Sequence, residues 1–248
     1  MKESAALSPK AVPALVPRHL AVIMDGNHRW ARSRGLPGSA GHRAGARNVR
    51  PVTEFAAELG IEALTLFAFS TENWNRPRRE VSLLLALMRR MLKEDVDEID
   101  RNNVRICIIG DRNRFSPDIR ELMRSAEERT RYNTRMTLMI AANYGGRWDI
   151  VNACRLLAAQ ARDGLLDPAD IDEEMVARST SLAAAPPPDL CIRTGGECRI
   201  SNFLLWQLAY AELYFTETYW PDFGVDALKE ALESFACRQR RFGRRSEG

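Results

Sequence analysis

Six short apolar runs, each bounded by polar turns, recur along the chain: HLAVIM (19–24), ALTLFAF (63–69), VRICIIG (104–110), MTLMIAA (136–142), DLCIRT (189–194) and ELYFTE (212–217). They are apolar along their length rather than alternating, so they read as strands covered on both faces, as in parallel sheets. Between them lie helical patterns at about 41–59, 79–101, 117–131, 147–163, 171–179, 202–208 and 225–240, and Ser116-Pro117 is a cap and first-turn signal for the third. This alternation implies one α/β domain with a six-stranded, mainly parallel sheet surrounded by helices. In open sheets of this kind ligands sit beyond the carboxyl ends of the strands. The chemistry is therefore expected just after each run.

Composition sets the outer bounds. A chain of 248 residues, 45% hydrophobic and 28% charged, describes a globular protein with room for one large domain. Its 36 basic and 33 acidic residues leave a net charge of +3, which argues against a general nucleic-acid binder. Of the basic residues 32 are Arg, which fits either a codon bias or recognition of phosphates by planar guanidinium forks. Five Cys without a CxxC pair fit reduced thiols better than disulfides or a zinc site. Residues 1–17 hold three prolines and no continuous apolar core, so they read as a disordered lead-in without a targeting segment. The apolar stretch from Val81 to Leu92 is interrupted by Arg89 and Arg90 and is too short to span a bilayer. The folded domain is expected over 18–243, with a tail at 244–248.

Polar clusters do follow the apolar runs. After the first comes Asp25-Gly26-Asn27-His28-Arg29-Trp30, where a carboxylate precedes a helix start. Asp25 is a hard oxygen ligand suited to Mg²⁺, and helix N–H groups suit an anion beside it; a simple Asp cap with an Arg ion pair is the competing reading. Neither a Walker A loop nor G-x-G-x-x-G is present, so ATP and dinucleotides have no motif support. After the second run comes the loop from Ser70 to Arg76, which reads as a site or as a capping cluster. After the fifth come Arg193-Thr194-Gly195-Gly196 and then Arg199-Ile200-Ser201, a candidate diphosphate cradle or a structural turn. Glu212 opens the sixth run, either as a second metal carboxylate or as a surface residue.

Taken together, MDGNHRWA, GHRAG, FSTENWNRP, AANYGGRWDI, IRTGGECRISNFLLWQLAYAELYF and WPDF resemble the motifs of the cis-prenyltransferases, from about His19 to Gly243. The resemblance implies a sheet wrapped around a hydrophobic tunnel, a homodimer, and Mg²⁺-dependent condensation of isopentenyl diphosphate onto an allylic diphosphate such as farnesyl diphosphate. A long-chain product, a lipid carrier for cell-wall synthesis, is implied with it. So is a cytoplasmic protein with peripheral membrane contact for product release.

Residue by residue, the resemblance makes Asp25 the metal-linked carboxylate, with Gly26, Asn27, His28, Arg29 and Trp30 around the allylic diphosphate. His42 matches a substrate-binding residue, as do Ser70, Thr71, Glu72, Trp74 and Arg76. Asn73 matches the residue linked to proton removal; an amide is a poor base, so orientation suits it better. Arg193, Arg199, Ile200 and Ser201 match the second diphosphate site, and Glu212 the second metal-linked carboxylate. Arg241-Phe242-Gly243 resembles an element that reaches across the dimer. Leu66, Ala68, Leu84, Leu87 and Leu138 are expected to line the tunnel or to be ordinary core.

Two positions depart from the family's pattern. His28 stands where close bacterial relatives usually have Gly, and Gly38 where the family generally has a phosphate-binding Arg. Gly38→Arg is accordingly expected to lower the Michaelis constant for the allylic substrate. Small Ala68 leans toward a long product. A short- or medium-chain synthase and a non-catalytic partner subunit are the rivals. The retained Asp25, Asn73 and Glu212 argue against the latter, and the absence of DDxxD argues against a trans-prenyltransferase.

Overall fold

The computed structural model describes residues 15–238. All six apolar runs form strands: β1 (His19–Ile23), β2 (Ala63–Ser70), β3 (Val104–Ile109), β4 (Met136–Tyr144), β5 (Leu190–Arg193) and β6 (Glu212–Phe215). They lie in the order β3-β4-β2-β1-β5-β6. All five pairings are parallel, so the sheet is wholly rather than mainly parallel. From β1 the chain builds outward to β2, β4 and β3 on one side, then returns to add β5 and β6 on the other. The carboxyl ends of β1 and β5 therefore flank the point where the winding changes sides, the place where open α/β sheets bind ligands.

Side chains alternate across the sheet as strand geometry requires. Leu20, Val22, Leu64, Leu66, Leu138 and Ile140 face one core, and Ala21, Ile23, Met139 and Ala141 the other. Among the described residues eight α-helices cover it: α1 (Asn27–Ser33), α2 (Gly38–Glu58), α3 (Arg78–Arg90), α4 (Val96–Arg101), α5 (Pro117–Arg129), α6 (Gly146–Arg162), α7 (Glu173–Ser179) and α8 (Val225–Ala236). In α8 the buried residues Leu228, Ala231, Leu232 and Phe235 recur at i, i+3, i+4 and i+7, a stripe of the width a surface helix needs. In α5 Ile119, Met123 and Ala126 do the same work at i, i+4 and i+7.

Two expectations change. The pattern over 79–101 is not one α-helix, because a single π-helical turn at Met91–Asp95 separates α3 from α4. The stretch 202–208 is not helical: Asn202 and Leu204, with Ser201 just before, take positive φ (62°, 38° and 47°), which an α-helix excludes. Its apolar spacing instead seats Phe203, Leu204 and Leu208 as anchors in the second core, with Phe203 stacked on Phe67 at 4.4 Å. Most of the lead-in at 1–17, the tail at 244–248 and Arg241-Phe242-Gly243 lie outside the described residues.

Candidate active site

The first cluster is built by one glycine. Gly26 has φ 98°, and a Cβ there would lie 2.6 Å from the Tyr219 ring, so the turn from β1 into α1 excludes a side chain. That turn leaves Asp25 at the sheet edge. Its Oδ1 accepts from the Gly26 N–H at 2.6 Å and its Oδ2 from Arg193 at 2.8 Å, with Arg29 3.3 Å away. Partial burial pushes the Asp25 carboxyl up, but the Arg193 hydrogen bond, the Gly26 N–H and the two Arg charges outweigh it. The carboxyl titrates below the usual range and is ionised at neutral pH.

Arg193, at the end of β5, is 5% exposed. One of its nitrogens also donates to Ser201 Oγ at 2.7 Å and to the Arg199 carbonyl, while its Nε is buried without a partner. A buried guanidinium held on two sides with a donor to spare has the chemistry to hold an anion. Arg29 is steadied by Glu197 at 3.5 Å and by the Tyr219 ring at 5.7 Å. Thr194, fully buried, accepts from the Asp25 N–H at 2.9 Å and donates to the Asp25 carbonyl at 2.7 Å, locking β1 to β5.

The close approach of α1 and α2 places the rest. Gly41 and Gly45 fall four residues apart on α2. A Cβ on Gly41 would lie 1.8 Å from the Asn27 carbonyl oxygen, and one on Gly45 2.0 Å from Asn27 Oδ1. Asn27 Oδ1 is buried with no hydrogen-bond partner, although the amide nitrogen reaches the Met24 carbonyl at 3.2 Å. One turn along, His42 meets Glu80 at 3.2 Å, and the same Glu80 oxygen accepts from Arg76 at 2.8 Å. Burial lowers the His42 pKa, against the opposing pull of Glu80.

After β2 the chain makes a 3-10 turn at Thr71–Asn75, closed by a capping box between Ser70 and Asn73. Asn73 Oδ1 accepts the Ser70 N–H at 3.1 Å, so the loop caps its own turn and not the helix that follows, since α3 starts after Pro77 with no side-chain cap. Ser70, Glu72, Asn73 and Arg76 edge the pocket. The register of β2 on β4 shifts between Phe67 and Ser70, which re-aims the strand end at Ala68. Glu72 accepts from Asn202 at 2.9 Å. Asn202 also receives the Arg147 N–H at 2.9 Å and the Gly146 N–H at 2.6 Å, so it ties the 70–76 loop to α6.

These groups enclose a polar pocket of about 560 Å³. Asp25, Gly26, Asn27, His28 and Arg29 form one wall. Ser70, Glu72, Asn73 and Arg76 form a second, and His42, Arg193 and Ser201 close it. Other predicted residues stand outside that lining. Trp30 donates to Asp222 at 2.7 Å and carries Arg34 over its ring. Trp74 is a structural anchor, donating to Asn143 at 2.8 Å and packing edge-on against Phe69. Ile200 packs on the second core, Thr71 lies against Gly145, and Arg199 is exposed and paired with Glu197.

Glu212 does not join Asp25 within the chain. It is level with Leu190 and hence with Leu20, at the amino end of the sheet, five residues below Asp25. There it accepts from Arg238 at 2.8 Å. The parallel register, which carries β6 upward from Glu212, is what separates them. Thr194, Glu197, Asn202, Tyr219 and Glu80 are contributors that motif reading missed. Thr194 and Glu197, inside the Arg-Thr-Gly-Gly-Glu segment, and Asn202, at its end, carried a sequence signal.

A second, largely apolar cavity of about 740 Å³ opens from this pocket, sharing Asn27, His42, Phe67, Ala68 and Leu84 with it. All five expected tunnel residues, Leu66, Ala68, Leu84, Leu87 and Leu138, line it. The arrangement offers an anion cradle at the mouth of an apolar channel.

Known proteins with this architecture agree. Residues 23–243 match the Prenyltransf family model, described as undecaprenyl diphosphate synthase. The chain is 55% identical to a farnesyl-diphosphate-specific ditrans,polycis-undecaprenyl-diphosphate synthase of Pseudomonas syringae, over 96% of this chain and 94% of the relative. It is 55% identical to the synthase of that same description from Escherichia coli, over 94% and 92%. The crystal structure of lavandulyl diphosphate synthase from Lavandula x intermedia, in complex with dimethylallyl diphosphate, superposes with a TM-score of 0.90 at 40% identity, covering 92% of this chain and 98% of that one. The chain is thus an enzyme of the cis-prenyltransferase family to which the undecaprenyl diphosphate synthases belong.

Proposed function

We propose that the chain condenses isopentenyl diphosphate onto farnesyl diphosphate and extends it in cis units to undecaprenyl diphosphate, the lipid carrier of cell-wall synthesis. One observation carries this reading: the polar cradle opens directly into the apolar cavity through shared walls. A diphosphate head and a growing hydrocarbon tail need that juxtaposition. The extent of the apolar space favours a long product over a short one.

In the reaction the allylic C–O bond breaks and its electron pair leaves with diphosphate. The double bond of isopentenyl diphosphate supplies the new C–C bond, and a neighbouring carbon then releases a proton. Arg29 and Arg76 line the pocket where the leaving charge would develop, and Arg193 lines it where the second diphosphate would lie, in a partly dry site where such contacts count most. Asn73, held by Ser70, orients the acceptor loop while a diphosphate oxygen takes the proton. Ser201, pinned by Arg193, serves the second diphosphate together with Arg199 once that side chain turns inward.

Mg²⁺ fits the donor chemistry. Asp25 is an ionised carboxylate at the pocket wall. No group of three or more His, Cys, Asp or Glu positioned to hold a metal occurs among the described residues. That suits an ion held by one or two carboxylates plus substrate phosphates. When bound, the ion neutralises diphosphate charge and assists its departure.

The family resemblance supports a homodimer in which Arg241-Phe242-Gly243 reaches the neighbouring site. It supports cytoplasmic placement and peripheral membrane contact as well. No helix among the described residues is long and apolar enough to cross a membrane. Asp25→Asn keeps the shape and removes the charge, and it is expected to cost at least about 100-fold in turnover. Undiminished release of diphosphate by a folded variant would refute this assignment.

A further inference from the structure

The apolar cavity does not end in apolar residues. It begins at Asn27 and His42, at the carboxyl ends of the strands, and reaches Val104 and Arg135 at their amino ends. β2 runs beside it, and its eight residues span about 26 Å at roughly 3.3 Å per residue. At the far end α2 and α4 stand opposite each other. Arg50 of α2 pairs with Glu98 of α4 and donates through Nε to Glu54 at 3.0 Å, and all three line the cavity. Asp95 lines it too, at the end of the π-helical turn that separates α3 from α4. Burial pushes the Asp95 carboxyl up, against the pull of Arg90. A π turn in an α-helix often marks a functional position.

We propose that the Arg50–Glu98 ion pair, closing the space between α2 and α4, is a clasp that sets the upper limit of product length. The proposal rests on the reading that an apolar chain grows from the cradle down this cavity. Each five-carbon unit gains free energy by entering apolar space. At the distal end that gain stops, because further growth pushes hydrocarbon against charged groups and strips their water. Arg50 is 62% exposed, so the pair contributes little to stability, and replacing it leaves the fold standing.

The test is product length. Parent protein, the double variant Arg50→Leu/Glu98→Leu and the charge-keeping Arg50→Lys are each incubated with farnesyl diphosphate and radiolabelled isopentenyl diphosphate, and the products are chromatographed. An apolar distal end is expected to lengthen the main product of the double variant by one or more five-carbon units, while Arg50→Lys keeps the parent distribution. Circular dichroism confirms the fold, and Arg50→Ala and Glu98→Ala replace the double variant if it fails to fold. Unchanged or shorter products from folded variants of an active parent overturn the clasp alone. A parent that makes no polyprenyl product overturns the proposed function and the clasp with it.

Discussion

A Cβ placed on Gly38 would lie 2.5 Å from Cδ2 and 2.9 Å from Nε2 of His28. Two departures from the family pattern that look independent in sequence therefore share one volume. His28 lines the pocket in the space that the bare Gly38 leaves. The expectation that Gly38→Arg alone lowers the Michaelis constant changes accordingly, because the new side chain displaces His28 as it enters. We expect no gain from Gly38→Arg alone and a roughly tenfold or greater fall in the allylic Michaelis constant for His28→Gly/Gly38→Arg, the scale of one charged hydrogen bond. Additive effects in the double-mutant cycle would show that the two side chains do not compete.

His19 makes a separate residue-scale prediction. It is fully buried, with its ring nitrogens 2.6 Å from the Pro186 carbonyl and 2.7 Å from Thr65 Oγ1. Burial lowers its pKa, outweighing the Pro186 carbonyl and Asp189. The unfolded chain then takes up a proton near its ordinary value of about 6.5, where the folded chain does not. More protons bound to the unfolded state means that stability falls as pH drops below that value. The urea midpoint is expected to decline from about pH 7 to 5.5, with a shallower decline for His19→Gln. Equal slopes for the two proteins would contradict this.

At the scale of elements, the strands were legible because strands covered on both faces are continuous apolar runs, and all six appear where they were expected. The helices were legible from their stripes, α8 most clearly. What failed was 202–208, since apolar spacing does not report the positive φ of Ser201, Asn202 and Leu204, and 79–101 as one helix, since the spacing does not report the π turn at Met91–Asp95. Motifs located Asp25, Arg193 and Ser201, whereas Glu80 and Tyr219 act through contacts that no local pattern encodes. α2 carries the tightest demands. Asn48, buried on it, donates to the carbonyls of Trp220 at 2.7 Å and Phe223 at 2.9 Å. Asn48→Ala leaves both unsatisfied and is expected to cost about 1–3 kcal/mol in urea unfolding. A loss well under that range would mean that α2 is not anchored through Asn48.

At the scale of the molecule, a net charge of +3 serves polyanionic substrates because charge is arranged locally. Arg29, Arg76 and Arg193 converge on one pocket, while Arg such as Arg124, Arg131 and Arg178 sit in exposed ion pairs worth little each. The fold joins that pocket to the apolar cavity at Ala68, which lines both. Ala68→Phe would narrow the junction and is expected to shorten the main product with the first condensation retained; an unchanged product would place the channel elsewhere. The most direct test of the whole account is the product of the parent protein from farnesyl diphosphate, radiolabelled isopentenyl diphosphate and Mg²⁺, resolved by chain length. A polyprenyl diphosphate of undecaprenyl length whose added units are cis is expected. A single-condensation product, or none, would contradict it.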